Sequence, residues 1–322
     1  MTARTYDPGW LVGLYRRMVL LREFEDRVKL LFLEGSMPGT IHQYQGQEAC
    51  GVGVCAALEP HDVITSTHRP HGHALARGLT PDEVMGELYG KVTGCCKGKG
   101  GSMHVGDLSK GMLPAVAIVG GALPIAAGMA LAYKMSGEKR IAVAFMGDGA
   151  TNEGIFHEAL NMAAIWDLPA LFVVENNLYA ASTSVKMTVK TPNISDRAAA
   201  YGMKGVTIDG NDVLGVYETT KELAAAAREG KGPVLLELMT YRITGHSRRD
   251  PALYQPEEEK KKALANEPIG RFGRWLVAEK IRTQADLDGI RAEVKVEIQA
   301  AVDRAIAAPE PRPEDALEDM FV

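Results

Sequence analysis

The residues best placed for chemistry are Asp148, between Gly147 and Gly149, and Asn177, at the end of the run Glu175-Asn176-Asn177. The chain between them reads as strand, helix, strand: 141–145 is continuously apolar, 152–166 is helical, and 171–174 is apolar again. Continuous apolar strands joined by a helix predict a parallel sheet covered on both faces. In such sheets ligands lie beyond the carboxyl ends of the strands, where both Asp148 and Asn177 fall. A carboxylate in the turn that opens a helix repels a phosphate, even though the helix N-terminus attracts anions. A divalent cation removes the conflict, since a carboxylate, an amide oxygen and a carbonyl are the hard ligands that Mg²⁺ prefers.

The elements that must hold these residues are legible on either side. Asp7-Pro8 reads as a cap and first helical residue, after which Leu11, Leu14, Met18, Leu21, Val28 and Leu31 recur at helical spacing until Gly35. The segment 91–121 is dense in glycine and is expected to be a binding loop, because glycine lets backbone approach a ligand closely. The small residues Ala122, Ala126, Ala127, Gly128 and Ala130 mark 121–132 as a buried or subunit-contact helix. Two more strands are expected at 206–208 and 234–238, around an alanine-rich helix. The fold class is therefore α/β, a parallel sheet with helices on both faces, occupying 1–255. Residues 256–322 are expected as a C-terminal helical region, solvated and peripheral, with a proline-rich tail.

Composition bounds the function. The 322 residues hold 36 bases and 41 acids, a net charge of −5, which supplies no basic field for nucleic acid. Cys50, Cys55, Cys95 and Cys96 fit neither a paired zinc motif nor a disulfide framework, so reduced thiols are expected. Charged residues interrupt the N-terminal apolar stretch, and no uncharged run is long enough to span a membrane, which points to the cytoplasm. Gly51-Val52-Gly53 lacks the preceding strand of a dinucleotide fingerprint. In Lys97-Gly98-Lys99-Gly100 glycine stands where a phosphate loop needs Ser or Thr.

The stretch GDGATNEGIFHEALNMAAIWDLPALFVVENN resembles the cofactor-binding motif of thiamine diphosphate enzymes. The likeness extends from about Trp10 to Gln255 through MPGTIH (37–42), GQEA (46–49), GKGGSMH (98–104) and GHS (245–247), which resemble the α subunit of 2-oxoacid and acetoin dehydrogenases. The pieces MPGTIHQYQGQEA and TSTHRPHGH are most similar to the acetoin dehydrogenase type, with the pyruvate dehydrogenase type next.

The resemblance implies a thiamine diphosphate-binding fold and a set of roles. Asp148 and Asn177 would hold Mg²⁺ through side chains and Tyr179 through its backbone oxygen. Gly147, Gly149 and Ala150 would lie along the diphosphate, which Arg69 would contact with His68, where the family often has tyrosine. Ile118, Val119 and Gly120 would hold the aminopyrimidine ring. His42, His71 and His246 would be catalytic, with His246 also touching the cofactor. His68, His71 and His73 are better read as an active-site wall than as a zinc site. His104 is expected to be structural, His61 a surface histidine, His157 a helix histidine and Ser247 an ordinary loop serine.

The implied activity is cleavage of acetoin, with transfer of the two-carbon fragment to lipoamide on an acyltransferase component; pyruvate or a branched-chain 2-oxoacid is the alternative substrate. In the family, the acid that activates the pyrimidine comes from a β subunit in an α₂β₂ tetramer. A chain of this length looks too short to hold both halves of such a site, so a β-subunit partner is expected. From a different class, a non-catalytic cofactor-binding scaffold is the competing reading.

Overall fold

The computed structural model describes residues 6–319. In chain order its elements are α1 (Pro8–Leu33), α2 (Glu48–Ala57), β1 (Val63–Thr65), α3 (Pro70–Arg77), α4 (Pro81–Leu88), α5 (Ala122–Ser136), β2 (Ala142–Gly147), α6 (Gly154–Ile165), β3 (Ala170–Asn176), the short pair β4 (Tyr179–Ala180) and β5 (Thr183–Ser184), α7 (Val185–Thr188), β6 (Lys204–Asp209), α8 (Val213–Arg228), β7 (Val234–Met239), α9 (Glu257–Ala265), α10 (Pro268–Ala278) and α11 (Gln284–Ala307). Five strands form one parallel sheet in the order β1-β2-β3-β7-β6.

Alternation along the strands splits the interior into two cores. Val143 and Phe145 of β2 and Leu171 and Val173 of β3 face the core completed by α1, α2, α3 and α8. Ala142, Ala144 and Met146, with Phe172 and Val174, face the core completed by α5 and α6. Burial on both faces is why these strands read as unbroken apolar runs.

The boundaries move where side chains compete for backbone. β2 begins at Ala142 because the Ile141 N–H is given to Asp62 Oδ1 at 3.0 Å. It continues to Gly147, which still pairs with Glu175. The helix expected from 152 begins at Gly154, since Asp148–Asn152 closes a 3₁₀ turn in which the Thr151 hydroxyl donates to the Asp148 carbonyl at 2.7 Å. α5 outruns its expected end and stops only where Gly137 takes a φ of +71°.

Two expectations are corrected. The C-terminal region is not a uniformly solvated layer. Of its three α-helices α9 buries nothing; α10 buries Ile269, Phe272 and Leu276, and α11 buries Leu287, Val294, Ile298 and Val302 while packing on α1 and α4. The stripe is spread thinly over a charged 24-residue helix, which hid it from a reading by composition. Second, most of the glycine-rich stretch wraps one of the protein's own carboxylates. Glu87, fully buried, accepts the N–H groups of Cys96 and Gly98 on Oε2 and those of Gly100 and Gly101 on Oε1.

Among the described residues no helix is long and apolar enough to cross a membrane. Two glycines of helices α1 and α3 provide a test of packing. A Cβ at Gly72 would lie 2.0 Å from the Tyr44 ring, whereas one at Gly13 would meet nothing within 4 Å. Gly72→Ala is expected to lower stability by about 1–3 kcal/mol or more through overpacking. Gly13→Ala is expected to raise it by roughly 0.5–1 kcal/mol, as alanine for glycine does inside a helix. Urea unfolding midpoints of the two variants read both signs.

Candidate active site

Beyond the carboxyl ends of β2 and β3 lies a cavity of about 320 Å³ lined by Gly147, Asp148, Gly149, Ala150, Glu175, Asn177 and Tyr179 from the sheet edge. The segment after β1 adds His68 and Arg69, the loop before α5 adds Ile118, Val119 and Gly120, and the loop after β7 adds Arg242 and His246. Register brings the first group together, because Gly147, the last residue of β2, sits opposite Glu175, and β3 ends one residue later at Asn176. The turn after β3 is tight: Leu178 and Ala181 hold φ of +74° and +49°, a region that side chains seldom adopt. Gly149 is required there, since a Cβ would meet the Ala180 Cβ at 2.7 Å.

Asp148 is 2% exposed, and its Oδ2 has no hydrogen-bond partner among the described residues. Burial pushes its carboxyl up to about 6, against the pull of nearby backbone N–H groups and of Arg242. Asn177 donates from Nδ2 to Gln47 Oε1 at 3.0 Å, which fixes the amide, and Oδ1 accepts the Tyr179 N–H at 3.3 Å. The Tyr179 carbonyl accepts from Arg242 at 3.0 Å and retains a second lone pair. The Asn177 and Tyr179 oxygens and the orphaned Asp148 carboxylate oxygen are a hard donor set suited to a small divalent cation.

Two guanidiniums give the cavity its sign. Arg69 donates to the Gln43 and His246 carbonyls, each at 2.7 Å, and burial with the neighbouring Arg242 lowers it to about 9. Arg242 is fully buried, held by the Tyr179, Ala181 and Thr244 carbonyls and the Tyr254 hydroxyl. Arranged this way, the pair attracts an anion such as a phosphate group.

His42, His68 and His246 form one cluster, with ring centroids 4.8, 5.1 and 5.4 Å apart. Burial first, and Arg69 next, depress them to about 3, 2 and 4, so all three are neutral. His246 Nδ1 faces the Arg69 donor at 3.1 Å, which places its proton on Nε2. His68 Nε2 and His42 Nδ1 are buried without partners among the described residues. The cavity thus presents neutral imidazoles able to give or take a proton beside a cationic wall.

His71 is not brought to this surface. It is fully buried, bonded to Glu25 Oε1 at 3.1 Å and Ser102 Oγ at 3.0 Å. His73 is buried against Glu175 and Ser66, so of His68, His71 and His73 only the first forms a cavity wall. His104 bonds the Ala115 carbonyl at 2.9 Å, His61 is a surface residue, and His157 lies exposed on α6 beside Tyr201. Ile118 and Val119 are 75% and 49% exposed at the rim. Sequence reasoning gave no role to Gln47, Glu175 or Arg242. The motifs containing them are visible, but their convergence depends on contacts across 130 residues or more for Gln47 with Asn177 and Tyr44 with Glu175.

Because these histidines titrate near 6.5 when unfolded, the unfolded chain binds more protons than the folded one between pH 6.5 and about 4. Stability is therefore expected to fall as pH drops through that window. Asp148 acts oppositely between about 6 and 3.8, where the folded chain binds the extra proton. In urea midpoints taken across pH 4–7, His68→Gln should flatten the fall and Asp148→Asn should steepen it.

With the geometry in place, comparison with known proteins gives a consistent result. Residues 16–314 match the family described as Dehydrogenase E1 component. The α subunit of acetoin:2,6-dichlorophenolindophenol oxidoreductase from Bacillus subtilis (strain 168) is 47% identical over 311 residues, covering 96% of this chain and 92% of the relative. Its counterpart in Cupriavidus necator is 45% identical, covering 98% and 95%. The chloroplastic pyruvate dehydrogenase E1 component subunit alpha-3 of Arabidopsis thaliana is 42% identical, covering 96% and 73%.

Proposed function

The chain belongs to the dehydrogenase E1 component family, and from that premise we propose that it is the α subunit of a thiamine diphosphate-dependent dehydrogenase that cleaves acetoin and passes the two-carbon fragment to lipoamide. The observation that carries this is the buried Asp148 carboxylate, with one oxygen unpartnered, beside the Asn177 amide and two buried guanidiniums. The two acetoin-named relatives support acetoin over pyruvate, the alternative.

The residues present fit the cofactor. Asp148, Asn177 and the Tyr179 carbonyl would hold Mg²⁺. Gly147, Gly149 and Ala150 would border the diphosphate, with His68, Arg69 and Arg242 supplying donors and charge. Ile118, Val119 and Gly120 would face the aminopyrimidine. Bound thiamine diphosphate supplies a nucleophilic carbon and an electron sink for carbon–carbon cleavage. The chain's own work is to position and to move protons: His42 and His246, neutral at physiological pH, would exchange protons with the substrate oxygens. His71, closed off by Glu25 and Ser102, would act only by holding that wall in place.

A β subunit would complete the site, in an α₂β₂ assembly working with a lipoyl-bearing acyltransferase component in the cytoplasm. Exposed apolar side chains support a partner surface: Ile125 and Met135 on α5, and Met162 and Ile165 on α6 with Trp166 just after it, the two helices packing together. Calorimetry is expected to show thiamine diphosphate binding only with a divalent cation, and none to Asp148→Ala. With the cation present, Arg69→Ala should weaken binding by roughly 1.5–3 kcal/mol, as loss of a charge-assisted contact does. Co-expression with the β-subunit gene, followed by assays with acetoin, pyruvate and branched 2-oxoacids, tests the activity. There His246→Ala should lower turnover far more than cofactor affinity, and the α chain alone should not turn over.

A further inference from the structure

Cys95 and Cys96 lie in the turn after α4, away from the cavity, where Glu87 gathers the backbone of the glycine-rich stretch. Both thiols are free and half-buried, whereas Cys50 and Cys55 are 0% and 6% exposed. The two sulfurs and a Glu87 oxygen all lie within 4.8 Å of one another. Three such ligands suggest a metal, but each Glu87 oxygen already accepts two backbone N–H groups. The carboxylate is thereby committed to the loop, and what is left is a pair of adjacent sulfurs open to small solutes.

The surroundings give the two thiols different characters. Cys96 Sγ lies 3.2 Å from the His104 carbonyl and 3.6 Å from that of Gly106, both acceptors for its S–H. Hydrogen bonding between the two sulfurs lowers the Cys96 thiol below its ordinary range and raises that of Cys95. Of the two, Cys96 is the thiol that gives up its proton more readily and Cys95 the one that holds it longer, an arrangement of attacking and resolving thiols.

We propose that Cys95 and Cys96 are a peroxide-reactive dithiol that hydrogen peroxide converts to a reversible disulfide between adjacent residues. The Cys96 thiolate attacks a peroxide oxygen; the O–O bond breaks, hydroxide leaves and is protonated to water, and Cys96 becomes a sulfenic acid. The Cys95 sulfur, giving up its proton, then attacks the Cys96 sulfur; the S–S bond forms, the S–O bond breaks and a second water leaves. Two thiols lose two electrons in total and one peroxide gains them. Adjacent Cα atoms are about 3.8 Å apart, below the roughly 4.4–6.8 Å usual across a disulfide, so the product is strained and ordinary thiols reopen it.

The test uses the full chain and hydrogen peroxide, read by peptide mass and by alkylation under denaturing conditions. The expected product is a peptide holding Cys95 and Cys96 that is lighter by about 2 Da, restored by dithiothreitol, with Cys50 and Cys55 still alkylated. Cys95→Ser should instead leave a dimedone-reactive sulfenic acid on Cys96, and Cys96→Ser should remain unoxidised. Full alkylation of both thiols after peroxide would overturn the proposal. So would oxygen addition without the lighter peptide, a disulfide between chains, or oxidation of the Cys96→Ser protein at Cys95. None of these readouts depends on cofactor binding or on acetoin cleavage.

Discussion

An ionised carboxylate taken out of water needs a cation or a full set of donors to offset its lost hydration, and Asp148 has only part of such a set. Its Oδ2 is buried without a partner and its carboxyl is pushed toward neutral pH. The groups around it respond to that imbalance. Arg69 and Arg242 bring positive charge near but spend their strongest bonds on carbonyls, so neither neutralises Asp148 directly. The result is a site whose oxygen donors suit a small cation on one side and whose charge attracts anions on the other. A metal-bridged diphosphate, as proposed above, would satisfy both at once.

That arrangement is held from behind by a second set of buried polar contacts. Glu25 on α1 accepts from the Tyr44 backbone and His71, while its carbonyl accepts from the Gln43 side chain. Gln43 in turn receives Arg69 on its own carbonyl. On the other side of the same segment, the Tyr44 hydroxyl and His73 share the Glu175 carboxylate, and His73 reaches Ser66 after β1. Segment 41–48 is therefore pinned between the first helix and the sheet edge. Buried networks of this kind fix geometry, because losing one member leaves another buried group unpaired.

The glycine-rich stretch follows the same logic with the charge reversed. There the protein's own Glu87 takes the place a bound anion would occupy, and four N–H groups close around it. The C-terminal tail adds a strap from outside, where Lys97 and Lys99 meet Asp319 at 2.9 Å. Being exposed, these ion pairs add little stability individually; their effect is to hold the turn bearing Cys95 and Cys96 against the body.

Local signals in the sequence determined the fold class and the site's principal pair. The apolar runs of β2 and β3 and the intervening helix follow from burial on both faces of a parallel sheet. Their ends place Asp148 and Asn177 side by side, because paired strands share a register. His42, His68, Arg69 and His246 were found through motif likeness. What the sequence alone left undecided depends on contacts between distant segments: that His71 faces Glu25 and Ser102 instead of the cavity, that Arg242 and Glu175 line it, that α11 joins the core, and that the glycine-rich stretch encloses Glu87. Period and composition report which face of one element is apolar; they do not report which neighbour that face meets. Only the packed chain decides whether a histidine or a glutamate meets solvent, a ligand or another side chain, because that depends on the neighbours that desolvate it and the partners within hydrogen-bond reach.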